Sequence, residues 1–155
     1  MEEMKSVEEN ESNRLFNEWQ EYERSLMPFK ITSDLGSRIG KTVVNVYHTY
    51  YRNESHDIIV FDDGFALWKC KDNFVSCVSL SHAWWLDKSV YHDGYASAYL
   101  SNYGYVLKDL KLISEEQVEE LLEKGRVFRK VQHKEEIKKE IQCRLDEISK
   151  LTDDL

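Results

Sequence analysis

Four apolar runs between residues 42 and 80 constrain the fold of this chain more than any other feature. The first run, TVVNVYHTYY, is rich in β-branched and aromatic residues, and DIIVF, FALWKCK and FVSCVSL follow it. Asp63-Gly64 and Asp72-Asn73 separate the last three runs, and such pairs tolerate the positive φ angles of two-residue hairpin turns. The pattern predicts a four-stranded antiparallel β-meander over residues 42–80.

The two turns also predict which residues face each other across the sheet. With two-residue loops, Phe61 lies opposite Ala66, and Trp68 lies between Ile59 and Cys77. Both faces of the meander are then apolar, whereas an antiparallel sheet with one wet face alternates apolar and polar residues. We therefore expect helices on both faces, or a partner on one of them.

A helix is predicted before the meander, in the segment 1–28. Leu15, Trp19, Tyr22 and Leu26 recur at steps of four, three and four residues, which places them on one helical face. Pro28 has no backbone N–H and restricts the residue before it, so we expect the helix to end there.

Further helices are predicted after the meander. Residues 81–104 carry a tyrosine every fourth position and form a Tyr-rich helical segment, either as one helix or as two short ones around Gly94. Two helices are expected in 114–152: the first begins at a capping box of Ser114 and Gln117 and ends at Gly125, and the second spans about residues 129–151. The prediction for the whole chain, residues 1–155, is a single α+β domain.

Composition narrows the functional classes. The chain has 155 residues and a net charge of −8, and the acidic excess lies in its terminal segments, which argues against nucleic acid as the main ligand. The acidic, polar N-terminus differs from a signal peptide, and no apolar run is long enough to span a membrane. Three cysteines do not suggest a disulfide framework. We expect a cytoplasmic protein with no membrane contact.

Catalytic and cofactor motifs are incomplete. The segment Gly36–Thr42 is similar to a phosphate-binding loop, but it is one residue short and valines typical of a strand follow it instead of a helix. His56-Asp57 and His92-Asp93 are pairs that could form a base with its orienting carboxylate, or bind a metal, but no histidines stand at helical i, i+4 spacing. Cys77 could pair with His82 or His92, although a buried, inert thiol is favoured. We therefore expect no cofactor, no metal site and a non-enzymatic role.

The aromatic residues suggest a binding surface. Residues 46–105 hold fourteen of the nineteen aromatics, more than one small core readily buries, and tyrosine and tryptophan often anchor protein interfaces. The candidate surface consists of Trp84, Trp85, Tyr91, Tyr95, Tyr99 and Tyr103, with His82 and His92 beside them. The leading hypothesis is a protein-binding module, an inhibitor or accessory protein of a phage or mobile element that acts on a host protein. The alternative is a binder or hydrolase of a small ligand or nucleotide in an aromatic, histidine-lined pocket.

Two further interactions are predicted for the C-terminal helix. A basic stripe could contact a polyanion, although such stripes are usually solvated; it consists of Arg126, Lys130, Lys134 and Lys138. A narrow apolar seam could pack on the domain or pair with a second copy of the chain; it consists of Ile137, Ile141, Leu145, Ile148 and Leu151.

Overall fold

The computed structural model describes residues 2–82 and 98–154, and their side chains over 11–81 and 98–154. The described residues form three α-helices and seven β-strands. In chain order these are α1 (Glu2–Leu26), β1 (Lys30–Ile31), β2 (Val43–Tyr51), β3 (Glu54–Phe61), β4 (Phe65–Cys70), β5 (Asn73–Phe74), β6 (Ser81–His82), β7 (Tyr99–Leu100), α2 (Asn102–Asp109) and α3 (Glu115–Asp153). A short 3-10 helix, Gly36–Arg38, lies between β1 and β2.

The main sheet has the order β1-β4-β3-β2 and is mixed rather than purely antiparallel. Strands β2, β3 and β4 form the predicted antiparallel meander, but β1 pairs parallel to the start of β4, with Lys30 opposite Phe65. The predicted fourth strand, FVSCVSL, pairs with β4 only through β5, at the other end of the same edge. The prediction of a four-stranded antiparallel sheet is therefore only partly right. A two-residue strand such as β1 is too short to leave a periodic signal in the sequence.

The register between β3 and β4 differs by one residue from the prediction. Ile58 lies opposite Trp68, and Val60 lies opposite Ala66. The connection has three residues rather than two: it ends at Gly64, which has a φ of 82° and donates its N–H to the carbonyl of Phe61 over 3.1 Å. Because side chains alternate along a strand, this slip moves the β3 side chains to the opposite face relative to those of β4.

Helix α3 is one continuous helix of 39 residues, so the predicted pair of C-terminal helices is wrong. Its start is as predicted: the Ser114 hydroxyl accepts the Gln117 N–H over 3.1 Å, and the Gln117 side chain accepts the Ser114 N–H over 2.9 Å. Gly125 does not end the helix. A Cβ built at Gly125 would lie 2.9 Å from Cζ2 of Trp19, so this glycine allows α1 and α3 to approach closely.

The core lies between one face of the sheet and the three helices. Ile58, Ala66 and Trp68 point from the sheet into this core and are fully buried. The helices contribute Trp19 from α1, Val106 and Leu107 from α2, and Val118, Leu121 and Phe128 from α3. Helices thus cover one face of the sheet; the expectation was helices on both faces, or a partner on one of them.

The segment 81–104 contains strands at both ends of the residues that are described there. Ser81 lies opposite Leu100, and His82 lies opposite Tyr99, in a two-stranded antiparallel sheet. Ser101 then caps α2 by accepting the N–H of Gly104. The prediction of a helical segment over 81–104 is therefore wrong at these two strands and right from Asn102 onward. Residues 83–97 lie outside the described part of the chain, so the prediction is untested there.

Candidate functional site

Strand β2 forms an edge of the main sheet. The turn that joins it to β3 consists of Arg52 and Asn53, whose φ angles of 51° and 63° match a type I′ turn. This two-residue turn makes Tyr51 and Glu54 a hydrogen-bonded pair. Since hydrogen-bonded pairs alternate along an antiparallel ladder, the amides of alternate residues in β2 point away from β3.

The outward-pointing backbone groups belong to Val46, His48 and Tyr50. The Val46 N–H donates to Oδ1 of Asn45 over 2.9 Å, so Val46 offers only its carbonyl. Among residues 2–82 and 98–154, no strand pairs with this outer edge. Exposed strand edges are templates for pairing with another chain, and proteins usually protect them with lysine, proline or a bulge. Strand β2 contains no lysine and no proline, and its bulge lies at its beginning, near Val44, so the edge from Val46 to Tyr51 has none of these protections.

The outer face of β2 is apolar as well as exposed. Val46 is 59% exposed and Tyr50 is 70% exposed, and Val43 and Val44 are also exposed. In the register of the sheet, Val46 lies opposite Ile59, and Ile59 lies opposite Leu67, which is buried. An apolar row therefore runs from the interior of the sheet to its open edge. We call this row, with the outer edge and face of β2, the β2 surface.

Part of the same sheet face is covered near the β3–β4 turn. The guanidinium of Arg38 lies over the rings of Phe61 and Phe65, 5.2 and 5.0 Å from their centroids, and pairs with Asp63 over 2.8 Å. This ion pair holds the pKa of Asp63 below its usual range. Arg38 therefore covers the end of the sheet that carries the turn, while the face at β2 stays open.

One histidine lies on the β2 surface. His48 Nδ1 is 2.5 Å from Asp57 Oδ1 across the β2–β3 ladder, and both side chains are partly exposed. The His56-Asp57 pair considered in the sequence is not an acid–base pair, because neighbours in a strand point to opposite faces. Asp57 faces His48 on the outer face, and His56 is buried on the inner one.

His56 belongs to a chain of polar contacts that runs from the core to the surface. Trp68 Nε1 donates to His56 Nδ1 over 3.1 Å, and His56 Nε2 lies 3.9 Å from the Cys70 sulfur. The Cys70 thiol donates to Glu54 over 3.5 Å, and Lys71 pairs with the same carboxylate over 3.2 Å. Burial lowers the pKa of His56 and raises the pKa of the Cys70 thiol, whereas the hydrogen bond from Lys71 lowers the pKa of Glu54.

The spacing of Glu54, His56 and Cys70 would allow them to bind a metal ion, but the protonation of His56 and Cys70 disfavours it. Ligand atoms of Glu54, His56 and Cys70 all lie within 4.8 Å of one another. However, Nδ1 of His56 accepts a hydrogen bond from Trp68, so the proton of the neutral ring sits on Nε2, the atom that would have to bind the metal. A high thiol pKa likewise disfavours the thiolate that a metal or a nucleophilic reaction needs. The chain of contacts therefore fits a structural role better than a catalytic one.

The candidate aromatic surface falls mostly outside the described residues, which leaves it untested. This applies to Trp84, Trp85, Tyr91, His92 and Tyr95, and to the side chain of His82. Tyr99 lies in β7 and is exposed. Tyr103 is half-buried in α2, with its ring centroid 5.2 Å from that of Trp68 and 6.4 Å from that of His56. Tyr103 thus packs on the inner sheet face, away from the β2 surface.

The basic stripe lies on the exposed part of α3. Arg126 pairs with Glu123 over 3.0 Å, while Lys130, Lys134 and Lys138 are exposed. The glycine-rich segment Gly36–Thr42 leads into β2 rather than into a helix, so it lacks the helix N-terminus on which a phosphate-binding loop depends.

A cavity of about 190 Å³ lies between α1 and the segment before β6. Glu23 lines it and accepts hydrogen bonds from the Ser79 hydroxyl, the Leu80 N–H and the Ser81 hydroxyl over 3.1, 2.8 and 2.6 Å. These hydrogen bonds occupy the Glu23 carboxylate and fix the segment 79–81 against α1. No histidine is among the described residues that line this cavity, and the alternative hypothesis of a histidine-lined pocket stays a prediction.

Comparisons of the chain with protein-family models, curated proteins and solved structures found no match. No helix among the described residues is both long enough and apolar enough to pass through a lipid bilayer. The function therefore has to follow from the chemistry of the described residues.

Proposed function

We propose that this protein is a protein-binding module that takes up an extended segment of its partner along the outer edge of β2. The observation that carries this proposal is the lysine-free edge from Val46 to Tyr51, which lies beside exposed apolar side chains. Strand addition of this kind obtains affinity from backbone hydrogen bonds and specificity from alternate side chains.

The geometry of β2 defines the chemistry of the partner segment. Its backbone pairs with the carbonyl of Val46 and with the outward groups of His48 and Tyr50, and its apolar side chains, at every second position, cover Val46 and Tyr50. A partner strand rich in β-branched residues fits this surface, because it adds a further apolar row to the sheet. An inhibitory or accessory role toward a host protein is part of the proposal, and it requires that the captured segment be functional in that protein.

A library of random peptides displayed on yeast tests the proposal with no partner specified in advance. Val46→Lys adds a charge at the edge, and Val127→Lys is its control, because it makes the same substitution at an exposed valine of α3. We expect the unmodified protein to enrich extended apolar peptides. The affinity of an enriched peptide should fall at least tenfold with Val46→Lys and stay unchanged with Val127→Lys.

Two results would contradict the proposal. Equal affinity of the Val46→Lys variant for the selected peptides would remove β2 from the interface. Loss of binding with Val127→Lys alone would move the interface to α3. A circular-dichroism melt of each variant checks that the fold is intact before its binding is compared.

A further inference from the structure

The C-terminal half of α3 carries aliphatic side chains on a helix that is exposed on all sides. From residue 136 to the end of the described chain, every residue is exposed. The apolar seam on this half comprises Ile137, Ile141, Leu145, Ile148 and Leu151, which are between 41% and 67% exposed. A polar, solvated helix would not need five large aliphatic residues in one line.

The seam has the spacing of a coiled coil. From Ile137 to Leu151 the steps are four, four, three and three residues, so the average repeat is the 3.5 residues of a helix that supercoils with a partner. The helical period places the seam on the opposite side of α3 from Gly125 and Phe128, which contact α1. The seam is therefore directed away from the domain to which α3 belongs.

Charge along this half of the helix is divided between its two ends. Residues 130–139 contain four lysines and two glutamates, a net charge of +2. Residues 140–154 contain five acidic and two basic residues, a net charge of −3. Two copies placed antiparallel bring the basic end of each helix beside the acidic end of the other, whereas a parallel pair places like charges together.

Arg144 lies at the centre of the seam, midway between Ile137 and Leu151, and pairs with Glu140 of its own helix over 3.7 Å. Because it is central, Arg144 meets Arg144 of the second copy in either orientation and does not decide between them. Lys134 does: in an antiparallel pair centred near Arg144 it lies near the second copy's acidic end, whereas in a parallel pair it lies beside Lys134 of the second copy.

We infer that the partner of this seam is a second copy of the same chain, and that the two α3 helices pair antiparallel around Arg144. This interface is separate from the β2 surface and does not depend on the proposed function. It presents two β2 surfaces in one dimer, which would increase the avidity for a partner with repeated segments.

Sedimentation equilibrium of the full chain under reducing conditions tests the association. Ile141→Glu with Ile148→Glu places two charges in the seam, and the control, Gln142→Glu with Ser149→Glu, places the same charges one residue further along, outside it. We expect the unmodified chain and the control to dimerise, and the dissociation constant of the seam variant to rise at least tenfold. A monomeric unmodified chain, or equal weakening by both variants, would overturn the inference.

Disulfide trapping tests the orientation, in a chain where the exposed Cys77 and Cys143 are replaced by serine. An antiparallel pair centred near Arg144 brings position 137 of one copy beside position 151 of the other. A chain with both Ile137→Cys and Leu151→Cys should therefore form cross-linked dimers on oxidation, and each single variant should not. Cross-linking of either single variant, at the yield of the double variant, would show a parallel pair and overturn the orientation.

Discussion

Replacement of Gly125 by alanine tests how α1 and α3 pack. A Cβ at this position would lie 2.9 Å from Cζ2 and 3.0 Å from Cε2 of Trp19. Trp19 cannot easily move away, because it is buried and its ring lies 6.2 Å from the ring of Phe16 and 6.1 Å from that of Phe128. Overpacking of this kind costs about 1–3 kcal/mol. Alanine returns about 1 kcal/mol through its higher helix propensity.

We therefore expect Gly125→Ala to lower the free energy of unfolding by about 1 kcal/mol, the difference between those two contributions. Urea denaturation followed by circular dichroism measures this change. A double-mutant cycle with Trp19→Phe identifies the cause, since the smaller ring should reduce the cost of the alanine. If Gly125→Ala stabilised the protein by the full propensity gain, the close approach of the two helices would be refuted.

Gly125 also shows why the sequence predicts two C-terminal helices where the structure has one. Glycine is common just after a helix and is also used where two helices approach closely, and the local sequence is compatible with both. The choice depends on Trp19, more than a hundred positions away, and no local pattern reports that contact. The capping box at Ser114 is local in sequence, and its prediction is confirmed.

In the sheet, too, the strands can be predicted from the local sequence, whereas their register cannot. Composition predicts the strands of the meander, but Asp62-Asp63-Gly64 allows a loop of two or three residues, and the choice sets the register. The β2 surface is absent from the sequence-based expectations for a different reason. A meander places its first strand at an edge, and the absence of lysine and proline in β2 is visible in the sequence. The exposure of Val46 and Tyr50 is not, because it depends on which face of the sheet the helices leave open.

The polar groups give three further predictions. Because burial lowers the pKa of His56, the folded state takes up fewer protons than the unfolded state below about pH 6.5. The free energy of unfolding should therefore decrease as the pH is lowered below that value, by at most about 1.4 kcal/mol per pH unit. A His56→Gln variant should lose this part of the pH dependence in urea titrations at several pH values. Zinc should leave the melting temperature unchanged, because Trp68 keeps the proton on Nε2 of His56; a zinc-dependent rise that Cys70→Ser abolishes would contradict this. Arg38→Ala should lower the urea midpoint at pH 7, and the loss should shrink in acid as Asp63 becomes protonated, since its carboxylate is the partner of Arg38; an equal loss at both pH values would show that the ion pair is irrelevant.

Hydrogen exchange of the β2 amides, measured by NMR with and without a selected peptide, tests the central claim most directly. In the free protein, the outward amides of His48 and Tyr50 should exchange fast, and those of Tyr47 and Thr49, which pair with β3, should exchange slowly. Addition of the peptide should slow the two outward amides and leave those of Tyr47 and Thr49 unchanged. Uniform protection in the free protein, or binding that leaves the outward amides fast, would contradict strand addition at β2.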